Sequence, residues 1–247
     1  LNYRSLQNTL NTHGLFLPPH PSSIDYCTIG GSIANNAAGV RTIKYGDTRQ
    51  MVKALDVVLA NGDTISTGRL SKRELAKKKS LGTFEGEIYR QVDSLIHESE
   101  AILDQADPET NKNSSGYALS KVVDKDGSFD LTPLFVGSQG TLGVVTAAEL
   151  QSQPHNMQNT IVMIGFTKLD DLSALSQAAV ELGPSAVELV DKNLLIQVNV
   201  LQPAQLRGLI EEPYPNFLLI VEFDDLKERD RAKKVKKLRR ILDELDG

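Results

Sequence analysis

The clearest alternation along the chain lies between Leu55 and Thr67. Leu55, Val57 and Leu59 are apolar at every second position, and Asn61-Gly62 follows them. Strands repeat with a period of two residues, and Asn-Gly is the pair that best tolerates positive φ at both centres of a primed turn. The pattern therefore predicts a β-hairpin over residues 55–67 with Asn61 and Gly62 both at positive φ.

Apolar residues recur at helical spacing in two other segments of the first half. Leu6 and Leu10, followed by Gly14, predict a helix over residues 4–14. A longer set of apolar residues, spaced three, four or seven apart between polar faces, predicts a helix over residues 84–103.

The middle of the chain carries different patterns. Residues 104–116 are polar and predict a loop, whereas residues 134–150 predict a strand, a glycine turn and a second strand. From Pro154 onward, strand-sized apolar runs alternate with amphipathic segments. This alternation predicts an α/β layer and a domain boundary that separates residues 1–154 from 155–247. The predicted elements are strands at 160–166, 185–190 and 217–223 and helices at 169–182, 191–197 and 226–245.

Composition narrows the class of protein. The chain has 247 residues, of which 40% are hydrophobic and 24% charged, as is typical of one large or two small globular domains. The net charge of -5 gives no support for nucleic-acid binding. The single cysteine, Cys27, excludes an intramolecular disulfide and a cysteine-rich metal site, and it favours a reducing, cytoplasmic location. No run approaches the ~20 apolar residues of a membrane span.

Two glycine-rich segments are the main candidates for binding chemistry. The first runs from Thr28 to Gly39, with Gly30-Gly31 and then Asn35-Asn36. Consecutive glycines can adopt positive φ and let the backbone approach a ligand, with N–H groups free to meet a pyrophosphate. The second is Gly137–Thr146, where three glycines interrupt two apolar runs. A glycine-rich turn between core elements explains the first pattern equally, and the run fits neither common nucleotide-binding loop.

Taken together, these segments resemble the FAD-linked oxidases. That family includes glycolate oxidase flavin subunits, D-lactate dehydrogenases and D-2-hydroxyglutarate dehydrogenases. The insert Ser71–Asn111, which precedes the sequence KNSSGY, looks closest to large bacterial proteins that fuse such a flavin domain to iron–sulfur modules. The matching runs occur in the family's order and cover about residues 1–200: Pro18–Ser22, Thr28–Gly39, Tyr45–Arg49, Ala54–Gly68, Lys112–Leu119 and Leu134–Leu150.

The resemblance implies an α+β fold. Residues 1–154 would form the second subdomain of a vanillyl-alcohol-oxidase type FAD-binding domain, with its insert at 71–111. Residues 155–247 would form part of an α/β, ferredoxin-like cap domain. The chain opens at Leu1 rather than Met, and we interpret it as a fragment whose natural amino terminus lies upstream.

The resemblance also implies the cofactor and its contacts. FAD would be held by residues of both glycine segments, although Gln139 replaces the family's usual glutamate. Lys112 and Tyr117 would lie on the substrate side. The catalytic base and any metal would lie outside this chain, because its four histidines show no metal-ligand spacing. The implied FAD contacts are Pro21, Ser22, Thr28, Ile29, Gly30, Gly31, Ala34, Asn35, Asn36, Gly39, Gly140, Gly143 and Val145.

The implied activity is oxidation of a D-2-hydroxy acid such as D-lactate, glycolate or D-2-hydroxyglutarate, with hydride transfer to flavin N5. Electrons would leave to a quinone, a flavoprotein or an iron–sulfur module, and the protein would be cytoplasmic or peripheral at the inner face of the membrane. The alternative is a non-catalytic scaffold or interaction fragment that does not retain FAD, because half of the cofactor cleft is missing. An enolpyruvyl reductase of cell-wall synthesis shares the fold but lacks the GSxGTLG type of turn.

Three further features have two explanations each. Cys27 is either close to the flavin or a small buried thiol. Glu188 and Asp191 are either an acid–base pair or a strand-end acid followed by a helix N-cap. The basic run Lys227–Arg240 is either a solvated amphipathic helix or a surface for a partner or a membrane.

Overall fold

The computed structural model describes residues 1–106, 110 and 112–245. Residues 107–109 and 111, which belong to the predicted loop and insert, lie outside the described residues, as do residues 246–247. The chain forms two compact units. Unit 1 comprises Leu1–Gly39 and Tyr45–His155, and unit 2 comprises Val40–Lys44 and Asn156–Gly247.

Helices and strands are mixed in both units, as expected of the α+β class. In the described part of the chain the α-helices are α1 (Tyr3–Thr12), α2 (Ile29–Ala34), α3 (Thr42–Tyr45), α4 (Thr48–Met51), α5 (Lys72–Lys79), α6 (Phe84–Glu98), α7 (Glu100–Ala106), α8 (Thr132–Phe135), α9 (Asp170–Glu181), α10 (Lys192–Leu201) and α11 (Glu228–Leu245). The strands are β1 (Leu15–Phe16), β2 (Val52–Val58), β3 (Thr64–Ser66), β4 (Val144–Leu150), β5 (Gln153–Pro154), β6 (Thr160–Phe166), β7 (Ala186–Asp191) and β8 (Phe217–Phe223).

A three-stranded antiparallel sheet in the order β3-β2-β4 carries the core of unit 1. Leu55 and Val57 on β2 are buried, as their alternation predicts, and Ile65 on β3 is buried in the same cluster. Val145 on β4 pairs with Val57. The strand that follows the second glycine segment is therefore fixed against the hairpin.

The hairpin turn differs from the predicted one. Gly62 has a φ of 89°, but Asn61 does not have a positive φ. The Gly62 N–H donates to the Leu59 carbonyl oxygen at 2.9 Å, and the Leu59 N–H donates to the Asp63 carbonyl oxygen at 2.8 Å. This is the pattern of a three-residue loop closed by a bulge. The prediction of a two-residue primed turn was wrong, because the longer loop places only the glycine in the left-handed region.

The strand predicted before Gly137 is a helix instead. Residues 132–135 form α8, with Pro133 in its first turn, where the missing N–H of proline costs no intrahelical bond. The Asp130 carboxylate accepts a hydrogen bond from the Thr132 N–H at 2.8 Å and so fixes the start of the turn. An apolar run of this length is compatible with a buried strand or a buried helix, and the proline decides between them.

The helix predicted over residues 84–103 is divided into α6 and α7. Its break lies at Ser99, whose N–H donates to the carbonyl oxygens of Leu95 and Ile96 and ends α6. The Ser99 carbonyl oxygen then accepts from the N–H of Leu103, so the next helix begins at once. The second helix, α7, reaches Ala106 and replaces the first residues of the predicted loop.

Unit 2 is built on an antiparallel sheet in the order β6-β8-β7. Both β6 and β7 pair with β8, so they run parallel to each other with β8 between them. The helix α9 connects them, which is the split β-α-β arrangement of ferredoxin-like folds. Leu219, Val221 and Phe223 of β8 are buried in one cluster with side chains of α9 and α11. The α/β layer predicted for this half is confirmed.

The basic run forms most of α11. Leu238 is fully buried, and Val235 packs against the same core. Basic side chains such as Lys233, Lys236 and Arg240 are exposed on the helix. This is the amphipathic arrangement that the pattern indicates. Within the described residues, no helix combines the length and apolar character that crossing a bilayer requires.

The short segment Val40–Lys44 belongs to unit 2 through two ion pairs. The Arg41 guanidinium lies 2.9 Å from the Glu222 carboxylate, and these side chains are only 18% and 13% exposed. Lys44 pairs with Asp224, whose side chain is 5% exposed. Because these charges are largely removed from water, each ion pair offsets part of the desolvation cost of its two charges. Nothing in the sequence pattern indicated that this segment and β8 would meet.

Two buried tyrosines in unit 1 have different surroundings. Burial raises the pKa of both Tyr3 and Tyr89. The Tyr3 hydroxyl donates to the Leu17 carbonyl oxygen at 3.4 Å. Among the described residues, the buried Tyr89 hydroxyl has no hydrogen-bond partner. Tyr89 therefore carries a polar atom whose desolvation nothing offsets.

A surface loop in unit 1 is organised around Asp126. Its carboxylate accepts a hydrogen bond from the Ser128 N–H at 3.0 Å and another from the Arg69 guanidinium at 2.5 Å. These interactions, led by the Ser128 backbone N–H, lower the pKa of Asp126 to about 2. The folded loop thus holds the ionised carboxylate more firmly than an unfolded chain does.

Candidate functional site

The first glycine segment folds as the short helix α2. The Thr28 side chain caps it by accepting a hydrogen bond from the Gly31 N–H at 3.0 Å. Gly30 and Gly31 have helical backbones and do not use the positive φ that glycine permits. The residue with positive φ is Asn36, at 46° just beyond the helix. The Gly31 N–H is used by the cap and is not free to meet a pyrophosphate.

The second glycine segment is joined directly to the first. The Gly137 N–H donates to the Ile33 carbonyl oxygen and the Gln139 N–H donates to the Ala34 carbonyl oxygen, both at 2.9 Å. Gly137, Gln139 and Gly140 all have positive φ, which bends the chain around the end of α2. We call the surface made by residues 29–34 and 137–140 the glycine wall. Two segments about a hundred residues apart therefore form one structure.

A groove of ≈450 Å³ opens beside the glycine wall. Ile29, Gly30 and Val145, three of the predicted cofactor contacts, line it together. The remaining lining is mostly apolar, and includes leucines of α1 and alanines of β4. A shallow, apolar groove with a glycine at its edge is suited to a flat ring system or a nucleotide face.

The glycines of the two segments differ in the space around them. A Cβ added at Gly30 would meet no atom within 4 Å, and one at Gly140 would also meet none. In contrast, a Cβ at Gly39 would lie 2.1 Å from the His20 carbonyl oxygen. One at Gly143 would lie 2.6 Å from Val57 Cγ1 and 2.8 Å from a backbone oxygen of β2. Packing alone explains Gly39 and Gly143, whereas the helical Gly30 faces open space that a ligand can fill.

Asn36 joins the glycine wall to two neighbouring segments. Its side-chain Nδ2 donates to Asp47 Oδ2 at 2.6 Å and to the Asn113 carbonyl oxygen at 3.1 Å. Its Oδ1 accepts a hydrogen bond from the Arg49 N–H at 2.8 Å. The residue is only 1% exposed. Both amide hydrogens and one lone pair of the amide oxygen are thus used inside the protein.

The segment Lys112–Tyr117 lies against the glycine wall. The Tyr117 and Thr141 hydroxyl oxygens are 2.8 Å apart. Thr141 donates its single hydroxyl hydrogen to the Ser138 carbonyl oxygen at 2.6 Å, so Tyr117 is the donor to Thr141. The half-exposed Tyr117 oxygen keeps lone pairs that can accept a hydrogen bond from another hydroxyl. The Lys112 side chain is exposed.

A second cavity, of ≈670 Å³, lies on the other side of this segment. Tyr117, Asn113 and Ser115 line it together with the charged residues Arg49 and Lys121. Its lining is more polar than that of the groove beside the glycine wall. The run Tyr45–Arg49 matches the family in sequence, but the sequence pattern indicated no role for Asp47 or Arg49. The available signal was that two charged residues, Asp47 and Arg49, closely follow Gly46.

The predicted site residues differ in exposure. Pro21 is buried, so its ring has little surface to offer a ligand. Cys27 is half-buried and accepts a weak hydrogen bond from the Ser32 hydroxyl at 3.8 Å, in agreement with a structural thiol. Of the other predicted contacts, the exposed ones are Ser22, Thr28, Gly30, Gly31, Asn35 and Gly140, and the partly buried ones are Ile29, Ala34, Gly39, Gly143 and Val145.

Two predictions about ionisable groups have structural outcomes. The Asp191 carboxylate accepts a hydrogen bond from the Leu194 N–H at 2.8 Å, which confirms that Asp191 is the N-cap of α10. Glu188 is exposed on β7. Among the described residues, no three or more histidine, cysteine, aspartate or glutamate side chains are grouped to hold a metal ion.

Comparisons with known proteins agree with this geometry. A family model described as an FAD binding domain matches residues 1–68. Glycolate oxidase subunit GlcD of Bacillus subtilis is 31% identical over 191 residues, which cover 76% of this chain and 30% of that protein. Over this part of its length the chain is similar to the FAD-linked oxidases. FAD is the cofactor that such domains bind.

Two other relatives show the same similarity. D-2-hydroxyglutarate dehydrogenase of Pseudomonas putida is 28% identical over 191 residues, covering 77% of this chain and 19% of that protein. D-lactate dehydrogenase of Archaeoglobus fulgidus is 30% identical over 190 residues, covering 76% and 31%. The chain thus spans about a fifth to a third of the length of these relatives.

Solved structures show the fold. Alkyldihydroxyacetonephosphate synthase, known in two crystal forms, matches 99% of this chain with TM-scores of 0.62 and 0.64. The matched part is 37% of the synthase chain, at 16% sequence identity. The predicted fold, part of a vanillyl-alcohol-oxidase type FAD-binding domain followed by part of a cap, is confirmed at the level of architecture.

Proposed function

We propose that this chain is part of an FAD-dependent oxidoreductase that oxidises a D-2-hydroxy acid such as D-lactate, glycolate or D-2-hydroxyglutarate. The observation that carries the proposal is the glycine wall, in which two distant glycine segments are hydrogen-bonded together beside an open groove. The names of the relatives, which are dehydrogenases and an oxidase subunit for such acids, supply the substrate class.

The residues of the groove fit a bound flavin nucleotide. Gly30 would let the cofactor approach the backbone of α2, and Ile29 and Val145 would cover apolar ring surface. Gly140 would admit a close contact at the second segment, since nothing occupies the position of its missing Cβ. Bound FAD would supply a hydride acceptor at its N5 atom, and the protein would contribute position, orientation and exclusion of water.

Lys112 and Tyr117 are the substrate-side candidates of this chain. The exposed Lys112 ammonium suits the carboxylate of a hydroxy acid. The Tyr117 oxygen, which already donates to Thr141, would accept a hydrogen bond from the substrate hydroxyl. We assign no general base and no metal to the chain. The electron acceptor would be a quinone, a flavoprotein or an iron–sulfur module, and the protein would be cytoplasmic or peripheral at the inner face of the membrane.

The test uses the full-length protein that contains this chain. Purified protein should show flavin absorbance near about 450 nm, the usual band of the oxidised cofactor. It should also reduce an artificial dye with at least one of D-lactate, glycolate and D-2-hydroxyglutarate. If the protein is coloured but oxidises none of these acids, the proposed substrate class is wrong and the proposed cofactor still holds. A colourless protein that cannot be reconstituted with FAD would favour a non-catalytic scaffold of the same fold.

A further inference from the structure

We propose that Asn36 is a positioning residue whose side-chain amide, rather than its contact with the cofactor, fixes the segment Lys112–Tyr117 against the glycine wall. The proposal rests on the proposed function, in which that segment forms the substrate side of the site. It gives Asn36 a role different from the one implied by family resemblance, where the residue touches FAD.

The amide of Asn36 satisfies three neighbours of position 36 at once. Asp47 and the Asn113 carbonyl oxygen both need a donor, whereas the Arg49 N–H needs an acceptor. An amide supplies two donor hydrogens and an acceptor oxygen in one plane. Asparagine also tolerates the φ of 46° at this position better than most residues with a side chain. Backbone conformation and hydrogen bonding thus select the same residue.

Two anchors hold the segment Lys112–Tyr117. At one end, the Asn113 carbonyl oxygen accepts hydrogen bonds from Asn36 and from the Arg49 guanidinium, each at 3.1 Å. The Ser114 hydroxyl adds a longer hydrogen bond, 3.4 Å, to the carbonyl oxygen of Asn36 itself. At the other end, Tyr117 donates to Thr141 on the second glycine segment. Loss of the first anchor would leave Tyr117 tethered at one point only.

Three variants separate the role of Asn36 from its contribution to folding. Asn36→Asp keeps the backbone preference but replaces the donor by an oxygen that faces the Asp47 carboxylate and the Asn113 carbonyl. Asp47→Asn is the matched control, because an Asn side chain can still present an oxygen to Asn36. In the double variant, Asn36→Asp with Asp47→Asn, the amide at position 47 donates to the carboxylate at position 36. That restores the 36–47 pair and removes one of the two hydrogen bonds, from Asn36 and from Arg49, that the Asn113 carbonyl oxygen accepts.

Hydrogen exchange of the variant proteins gives the first readout, and it needs no cofactor. The Ser115 N–H, which donates to Asn113 Oδ1 at 2.9 Å, reports on the segment. We expect its exchange to rise about two- to tenfold in Asn36→Asp and in the double variant, the factor for one lost hydrogen bond. Exchange in Asp47→Asn should match the wild type. Exchange within α1 should be unchanged in all variants. Wild-type protection at Ser115 in the double variant would overturn the proposal.

Turnover gives the second readout. With a hydroxy acid that the wild type oxidises, the double variant should show a KM raised about two- to tenfold and a kcat within about twofold of wild type. A purely structural role would lower the amount of active protein without this split. An unchanged KM beside released exchange would mean that the segment is not on the substrate side, and would also overturn the proposal. If no hydroxy acid is oxidised at all, the proposed function fails while the exchange result still decides the role of Asn36. If Asn36→Asp does not fold, the double variant carries both measurements.

Discussion

Alanine at Gly30 and at Gly143 should have opposite consequences, although both glycines belong to the two glycine segments. At Gly143 the new Cβ would lie 2.6 Å from Val57 Cγ1 and 2.8 Å from the Val58 carbonyl oxygen. A side chain can turn away, but a backbone oxygen within a paired strand cannot move cheaply. Overpacking of this kind costs about 1–3 kcal/mol. With a shift of ~2–4 °C per kcal/mol for a chain of this size, we expect the Tm to fall by about 2–12 °C.

At Gly30 the added methyl group would meet no protein atom within 4 Å. Because the residue lies within α2 and has no positive φ, alanine should leave the free energy of unfolding unchanged or raise it by up to about 1 kcal/mol. The same methyl group would narrow the groove where the cofactor approaches. FAD affinity should therefore fall at least about tenfold, which corresponds to ~1.4 kcal/mol.

The assay pairs thermal unfolding of the cofactor-free protein with FAD titration of the full-length protein. Gly30→Ala should keep the wild-type Tm and bind FAD more weakly, whereas the main effect of Gly143→Ala should be a lower Tm. If Gly30→Ala binds FAD as well as the wild type does, the groove beside the glycine wall is not the cofactor groove. A large fall in the Tm of Gly30→Ala would show that protein atoms occupy the space beside this residue.

Three other predictions follow from local geometry. Tyr89→Phe should leave the free energy of unfolding unchanged or raise it by up to ~1 kcal/mol in urea titration, because the lost hydroxyl has no partner in the described structure. The control Tyr3→Phe should lower it by about 0.5–1.5 kcal/mol, since that hydroxyl is hydrogen-bonded; equal effects would contradict the distinction. The pKa of Asp126 is lowered to about 2. Its contribution to the free energy of unfolding is therefore complete above about pH 4 and is lost as the pH falls toward 2. Asp126→Asn should remove that part of the acid sensitivity, measured by unfolding between pH 5 and pH 2. Asp191→Ala should destabilise α10 by ~1 kcal/mol through loss of the N-cap, whereas a loss of activity at unchanged stability would revive the acid–base interpretation.

Hydrophobic patterning was sufficient to predict strands in the sheet of unit 2 but insufficient to predict the short elements of unit 1. The strands at 160–166 and 217–223 coincide with their predicted ranges, because each is a long apolar run between polar segments. The strand predicted to begin at Leu134 starts inside the helix of residues 132–135, since a short apolar run fits either structure and the decisive Pro133 was not weighed. The hairpin was correct in its strands and wrong in its turn, because Asn61-Gly62 is compatible with more than one loop length.

The candidate site was predictable in its glycines and not in its connections. Glycine content indicated that both segments needed small residues, but not that Gly39 and Gly143 need them for packing and Gly30 does not. The polar junction at Asn36 depends on Asp47 and Asn113, which are distant in the sequence and carry no periodic signal. Such contacts follow from tertiary structure, so one sequence read by pattern has no means of pairing them.

The ion pairs of Val40–Lys44 have a practical consequence for dissecting the gene. A stop codon placed after residue 155 would encode all of unit 1 together with residues 40–44, of which Arg41 and Lys44 would lose the ion pairs with Glu222 and Asp224. A reciprocal clone starting at residue 156 would carry Glu222 and Asp224 without Arg41 and Lys44. Neither half is a clean module, and anyone expressing them separately should neutralise these four positions first.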